Sequence, residues 1–271
     1  MEFLSFDPCA ILKPYVERYI VVDAKFAEGQ QHKHFIAPSS TSQLAINCAT
    51  ANTKPDEVGA LDRHYVTALV GPFTRRHTYI LHGHIYSVVA YFTPIGLHAL
   101  LNIDLTDLAD QTVDFASILP DDALHLSKCV LGAIDNHAKV QVLEAYLLRR
   151  LASAKPLNQG VQRAVELIRQ QGGQIAIAEL LQQLTLQQRT FERHFRQTTG
   201  MSPKQFMRIT RFLAVRNAIA DGTYQNWHDV LHQGGYYDQA HFIREFSLFT
   251  GQTPSAYFAG SIGFDNFLLK V

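Results

Sequence analysis

Along residues 1 to about 120 the apolar positions fall in short runs: VERYIVV (16–22), QLAIN (43–47), TALVG (67–71), TYILH (78–82) and IYSVVAYF (85–92). AEGQ, TKPDEVG and HGH interrupt them. Runs of this length, rich in β-branched and aromatic residues and bounded by turn formers, predict a mostly antiparallel sheet, with closure into a small barrel left open. From Asp121 to Ala154 the spacing of leucine, valine and alanine turns helical, ending in VLEAYLLRRL. Lys155-Pro156-Leu157-Asn158 breaks that pattern and sets a domain boundary, 1–155 and 156–271.

Beyond the boundary every periodic segment reads as helix. Val161, Val165 and Ile168 share one face of a helix that Asn158 can cap and Gly172-Gly173 ends. A short helix around Ala178–Gln183, a turn at Leu184–Leu186 and a helix over Gln188–Thr198 follow, the last stopped by Gly200. Ser202-Pro203, an N-cap followed by proline at the first helical position, opens a helix running to about Ala220. Then the order recurs: Trp227–Gln233, a turn at Gly234–Tyr237, a helix over Gln239–Phe249, Gly251, and Thr253-Pro254 opening a final turn. Leu180, Phe191, Arg193, Phe195, Thr199, Gly200 and Pro203 are repeated 51 positions later as Leu231, Phe242, Arg244, Phe246, Thr250, Gly251 and Pro254. The expected class is therefore α+β: an N-terminal mostly antiparallel β domain with helices, then an all-α domain of two helix-turn-helix motifs joined by a long helix.

On a wheel of about 100° per residue with Phe191 at zero, Phe195 lies near 40°, and Arg189, Arg193 and Arg196 lie near 160°, 200° and 140°. One face is aromatic and the other a guanidinium stripe. Such a helix suits a major groove, where arginine reads guanine O6 and N7 and reaches phosphates, and Glu192 on its flank can accept from cytosine N4. An isolated charged stripe would be an ordinary solvated face; a stripe that follows a short helix and a tight turn, in a unit present twice, favours DNA. In the second copy Phe242 and Phe246 face inward, while Ala240, Ile243, Arg244 and Ser247 face outward. Ala240 and Ile243 there suit thymine methyl groups and Gln239 a base edge or phosphate. The joining helix spans about 25 Å, a spacer for two reading helices entering successive grooves. Phe206, Ile209 and Leu213 give it a core face, leaving Arg208, Arg211 and Arg216 to be exposed.

Net charge is zero, which alone argues against a polyanionic partner. The average conceals a gradient. Residues 1–155 hold 13 Lys/Arg against 16 Asp/Glu, residues 156–271 hold 11 against 8, and residues 187–216 hold seven bases against Glu192 alone. The second motif has the opposite balance: Asp221, Asp229, Asp238 and Glu245 outnumber Arg244 between 217 and 258. The first motif is thus expected to supply most of the affinity and the second the register. Three widely spaced cysteines, Cys9, Cys48 and Cys129, suggest neither a disulfide framework nor a CxxC site. With no signal-like start and no apolar run near 18 residues, the cytoplasm is the expected location and a membrane is not an expected partner.

RTFERHFRQTTGMSPKQFMRITRF followed by GYYDQAHFIREFSLFTGQTPSAYF resembles the AraC/XylS family of bacterial transcriptional regulators, over about Val161 to Phe258. By position the resemblance implies DNA contacts from Gln188, Arg189, Glu192, Arg193 and Arg196 in the first motif and from Gln239, Ala240, Ile243 and Arg244 in the second. Three departures stand out: Gln187 where a serine-type cap is usual, Leu231 where the family has a small residue, and Gly234 where it has leucine. The Gly234-Gly235 pair is expected to loosen that turn. LKPYVERYIVVD, GPFTRRHTYILHG, YFTPIG and LTDLADQTV are similar to N-terminal domains of a poorly characterised branch of these regulators. The resemblance implies a cupin-like domain that senses a small molecule or dimerises. Candidate partners are double-stranded promoter DNA, RNA polymerase as an activator would need, a small-molecule effector and a second copy of the chain.

Two other readings compete. His32-Lys33-His34 and His82-Gly83-His84 place imidazoles two apart, as a strand would to hold a metal, although Gly83 reads equally as a hairpin tip. The sequence asks for no cofactor and shows no catalytic constellation. A ligand-independent DNA-binding protein regulated by a protein partner is the third reading, with the apolar tail SIGFDNFLLKV docked on its own core or offering a contact surface. By strand position Tyr19, His34, Asn47 or Tyr91 would line a pocket, but no ligand site is assigned.

Overall fold

The structure, a computed structural model, describes residues 2–30, 32–48, 52–55, 65–154, 156–185, 187–224 and 227–259. The tail SIGFDNFLLKV, Leu186 and the end of the TKPDEVG interruption lie outside the described residues.

Among the described residues the N-terminal part holds nine strands: β1 (Glu2–Phe6), β2 (Val16–Lys25), β3 (His32–Ile36), β4 (Gln43–Asn47), β5 (Asn52–Pro55), β6 (Thr67–Val70), β7 (His77–His82), β8 (His84–Phe92) and β9 (Thr112–Asp114). They form two antiparallel sheets, one ordered β1-β2-β8-β4-β6-β9 and the other β3-β7-β5. The barrel alternative is corrected: the described strands do not close. The chain crosses from one sheet to the other at Gly83, φ +68, between β7 and β8, which do not pair with each other, and a lone bridge joins Ser39 to Phe73 between the strands.

The long central strands β2 and β8 are apolar on both faces because each face is covered. Tyr19, Val21, Val88, Ala90 and Phe92 face a core built with the helices α1 (Gly96–Leu101), α2 (Pro120–Gly132) and α3 (Asn136–Ala152). Ile20, Val89 and Tyr91 form the cluster on the other face. The helical stretch after Asp121 is two helices, not one: Asp135 breaks it by capping the Ala138 N–H at 2.8 Å. Arg150 and the Tyr146 hydroxyl then meet on Asp122, at 3.2 and 2.8 Å, tying α3 to α2.

The second part contains α4 (Gln159–Gln170), α5 (Ile177–Leu184), α6 (Gln188–Thr199), α7 (Pro203–Ala220), α8 (Trp227–His232), α9 (Gln239–Thr250) and α10 (Pro254–Ala259). Ser202 and Gln205 form a capping box at the start of α7. The sequence repeat becomes a packing repeat. Phe191 lies 5.4 Å from Phe195, which meets Phe206 edge-on at 5.4 Å; Phe242 lies 5.4 Å from Phe246, which meets Tyr257 edge-on at 5.3 Å. Each aromatic pair sits on its inner face because the chain has no other place to remove four large rings from water.

The two parts touch at defined points. The Leu105 N–H donates to the Gln197 carbonyl at 2.9 Å, Arg169 pairs with Glu17 at 3.1 Å, and Ile95 joins the second core. Gly200 and Gly251, the equivalent C-caps of α6 and α9, both take φ +74. A Cβ on Gly200 would lie 2.8 Å from Pro72, and one on Gly251 1.6 Å from the Arg76 guanidinium. One loop between β6 and β7 thus lies against the ends of both helices.

Candidate nucleic-acid interface

Helix α6 begins without a side-chain cap, since Gln187 makes no capping hydrogen bond. Phe191 and Phe195 are buried, and Gln188, Arg189, Arg193 and Arg196 are exposed with Glu192 half-buried. The Gln188 amide donates to Glu192 at 2.9 Å and Arg193 meets His194 at 3.3 Å. Among the described residues no carboxylate pairs with Arg189, Arg193 or Arg196, so the stripe's charge is available to a phosphate or a guanine edge.

On α9 the Asp238 carboxylate caps the His241 N–H at 2.6 Å. Gln239, Ala240 and Arg244 are exposed and Ile243 is half-buried. Of the nine sequence-derived residues, Gln188, Arg189, Arg193, Arg196, Gln239, Ala240 and Arg244 are exposed, Glu192 is half-buried, and Ile243 packs partly against the second core instead of facing fully outward.

The joining helix differs from expectation. Arg216 is buried, and burial pulls its guanidinium below the ordinary range, with Tyr257 opposing that shift. Arg211 and Arg208 bind Glu245 at 3.1 and 3.0 Å, with Arg211 only 18% and Glu245 4% exposed. The core face is Phe206, Met207, Ile209, Phe212 and Val215 rather than one including Leu213. Turning α7 this way lets arginine stems cover apolar surface and gives the buried Glu245 the counter-charges it requires. The Tyr236 hydroxyl donates to Glu245 at 3.2 Å, and burial followed by Glu245 pushes the Tyr236 phenol upward.

The Gly234-Gly235 turn is also tighter than expected. A Cβ on Gly234 would stand 2.2 Å from the Val230 carbonyl and 2.8 Å from Val215, and Gly235 takes φ +69 against the Gln174 side chain. That side chain donates to the Gln233 carbonyl at 2.7 Å. Here glycine permits close packing.

Between the two sheets, with α7 beneath, lies a cavity of about 420 Å³ whose walls include Phe35, Tyr79, Tyr91, Arg169, Leu213 and Arg216. His34 and Asn47 line it as strand position suggested, but Tyr19 faces the helical core instead. Burial pushes the Tyr91 phenol up to about 12, with Arg18 opposing. Strand position points to His34, Asn47 and Tyr91, but no signal in a single sequence joins those strands to the α7 side of the cavity, which comes from a distant part of the chain. Of the paired histidines, His34 is buried in β3 and His84 Nε2 lies 2.8 Å from Asp23. Among the described residues no three His, Cys, Asp or Glu side chains are grouped to hold a metal. No described helix is long and apolar enough to cross a membrane.

Two helix-turn-helix units with outward polar faces, held by one shared helix, define a DNA-binding protein. Residues 180–260 match the family model of a helix-turn-helix domain, and residues 4–114 that of a domain of unknown function (DUF6597). Residues 180–260 thus form an AraC-type helix-turn-helix domain, and the chain is a DNA-binding transcription regulator. Comparison with curated proteins found no match. Among solved structures the chain is similar to ToxT from Vibrio cholerae, at 11% identity over 85% of this chain and 97% of that one, TM-score 0.46. A second ToxT structure, bound to (E)-4-(8-methylnaphthalen-1-yl)but-3-enoic acid, matches at 10% identity over 85% and 98%, TM-score 0.46. The AraC-like transcriptional activator CuxR matches at 11% identity over 80% of each chain, TM-score 0.26.

Proposed function

We propose that this regulator reads two successive major grooves of promoter DNA, α6 contributing most of the affinity and α9 the register. Gln188, Arg189, Glu192, Arg193 and Arg196 make the contacts of the first helix, and Gln239, Ala240, Ile243 and Arg244 those of the second. The observation that carries this reading is the contrast between arginines. Those on the outer face of α6 have no acid paired with them among the described residues, whereas Arg208 and Arg211 of α7 are occupied by Glu245. The 18 residues of α7 span about 27 Å, within reach of the ~34 Å groove repeat.

Residues 1–155 act as the sensing domain and 156–271 as the DNA-binding domain of a cytoplasmic protein that works by binding rather than catalysis. A small molecule in the cavity controls it. Such a ligand touches α7 directly, through Leu213 and Arg216, and touches Phe73, which sits in the loop lying against both C-caps. The test is selection of bound fragments from genomic DNA by the purified full chain, with and without a metabolite mixture. One recurring motif with two half-sites about one helical turn apart is expected, with occupancy altered by a metabolite. No enrichment at any salt concentration would defeat the reading.

A further inference from the structure

We propose that the cleft between α7 and α9 is a third DNA contact, which takes the sugar-phosphate backbone passing between the two reading helices. The inference rests on the DNA-binding reading and adds residues to it. The cleft encloses about 720 Å³, and its charged walls are Lys204, Arg208 and Arg211 of α7 with Arg244 and Glu245 of α9. Four permanent cations therefore face one carboxylate.

Glu245 does more than cancel one of those charges. Through it Arg208 and Arg211 are fixed at 3.0 and 3.1 Å, while their guanidiniums lie 5.4 Å from the Phe249 ring and 4.6 Å from the Tyr236 ring. Cations already held in place lose little freedom when a phosphate arrives, and phosphate contacts of this kind set position rather than sequence. Lys204 and Arg244 are exposed, and neither pairs with an acid among the described residues. Arg244 belongs both to the cleft wall and to the outer face of α9, so a duplex read by α9 extends into the cleft. That continuity favours a DNA strand over a free anion. It also changes the electrostatics of the second motif: α9 has one base of its own, and α7 lends it Lys204 and the outer edge of Arg208.

The experiment measures binding of the full chain to a random-sequence 40-base-pair duplex across a salt series, for the unmodified chain, Lys204→Ala, Lys204→Glu and, as a charge control, Arg163→Ala on α4. Each phosphate contact contributes about 0.9 to the slope of log affinity against log salt. Lys204→Ala is expected to lower the slope by about that amount, Lys204→Glu by more, and Arg163→Ala by nothing comparable. An unchanged slope in both Lys204 variants overturns the inference while leaving the DNA-binding reading intact. So does an equal change in Arg163→Ala, which would mark a general charge effect. Saturable binding of inorganic phosphate that Lys204→Ala abolishes, with the DNA slope unmoved, would identify a small-anion site and overturn it too. Failure of the unmodified chain to bind any duplex defeats both.

Discussion

Seven basic side chains lie between Arg189 and Arg216, and what faces each decides its role. Arg193, on the outer face of α6 with no acid paired to it among the described residues, is expected to cost on the order of 1–3 kcal/mol of DNA affinity when replaced by alanine. Arg244→Ala should cost clearly less in the same titration, and a larger loss from Arg244 would reverse the proposed division of labour. Glu245→Gln tests a different kind of residue. It leaves Arg208 and Arg211 without a counter-charge, and chemical denaturation should show a loss of about 2 kcal/mol, moderate because Arg208 reaches solvent. A denaturation midpoint within error of the unmodified chain would mean the cluster is not structural. Asp110 is held below the usual carboxylate range: burial pushes it up, but hydrogen bonds from His77 and Thr74 outweigh that. Because its folded value is the lower one, its contribution is present above the unfolded carboxylate range and fades as pH falls through the folded value. Asp110→Asn should therefore flatten the acid limb of the stability curve, measured as midpoint against pH.

At the scale of elements, the C-terminal helices were legible because each signal is local. Ser202-Pro203, Asp238, Gly200 and Gly251 fix ends through their own backbone neighbours, and paired phenylalanines fix the inner faces. The exposed positions of α6 and α9 followed from the same periodicity. What stayed hidden depends on contacts distant in sequence. The rotation of α7 is set by Glu245, some 34 residues beyond Arg211, and the space at Gly235 is closed by the side chain of Gln174, far back in the chain. The separation into two sheets depends on pairings that alternation alone does not specify, and α1 is too short to show a period. Helix α6 retains one local flaw, its uncapped start at Gln187. That residue already has extended backbone angles, so Gln187→Ser should raise stability by about 0.5–1 kcal/mol in thermal melts. No gain would indicate that the orphan N–H groups are already satisfied by water.

At the scale of the molecule, sensing and reading are coupled only if a ligand favours one arrangement of the two parts over another. A metabolite that occupies the cavity at about 100 times its Kd should stabilise the chain by about 2.7 kcal/mol. It should also shift DNA affinity by the factor with which DNA shifts its own. Ala45→Phe, filling the cavity from β4, should abolish both effects; stabilisation without any change in DNA affinity would separate the cavity from regulation. The two C-cap glycines carry a last consequence. Because Pro72 and Arg76 stand on one short loop and meet Gly200 and Gly251 at once, the 51-residue spacing is a mechanical dimension of the molecule. One residue inserted into α7 would advance the second motif by 1.5 Å and swing it through about 100°. The loop could then hold only one of its two seats, so changes in chain length between the motifs are barred by the N-terminal part as well as by the pitch of DNA.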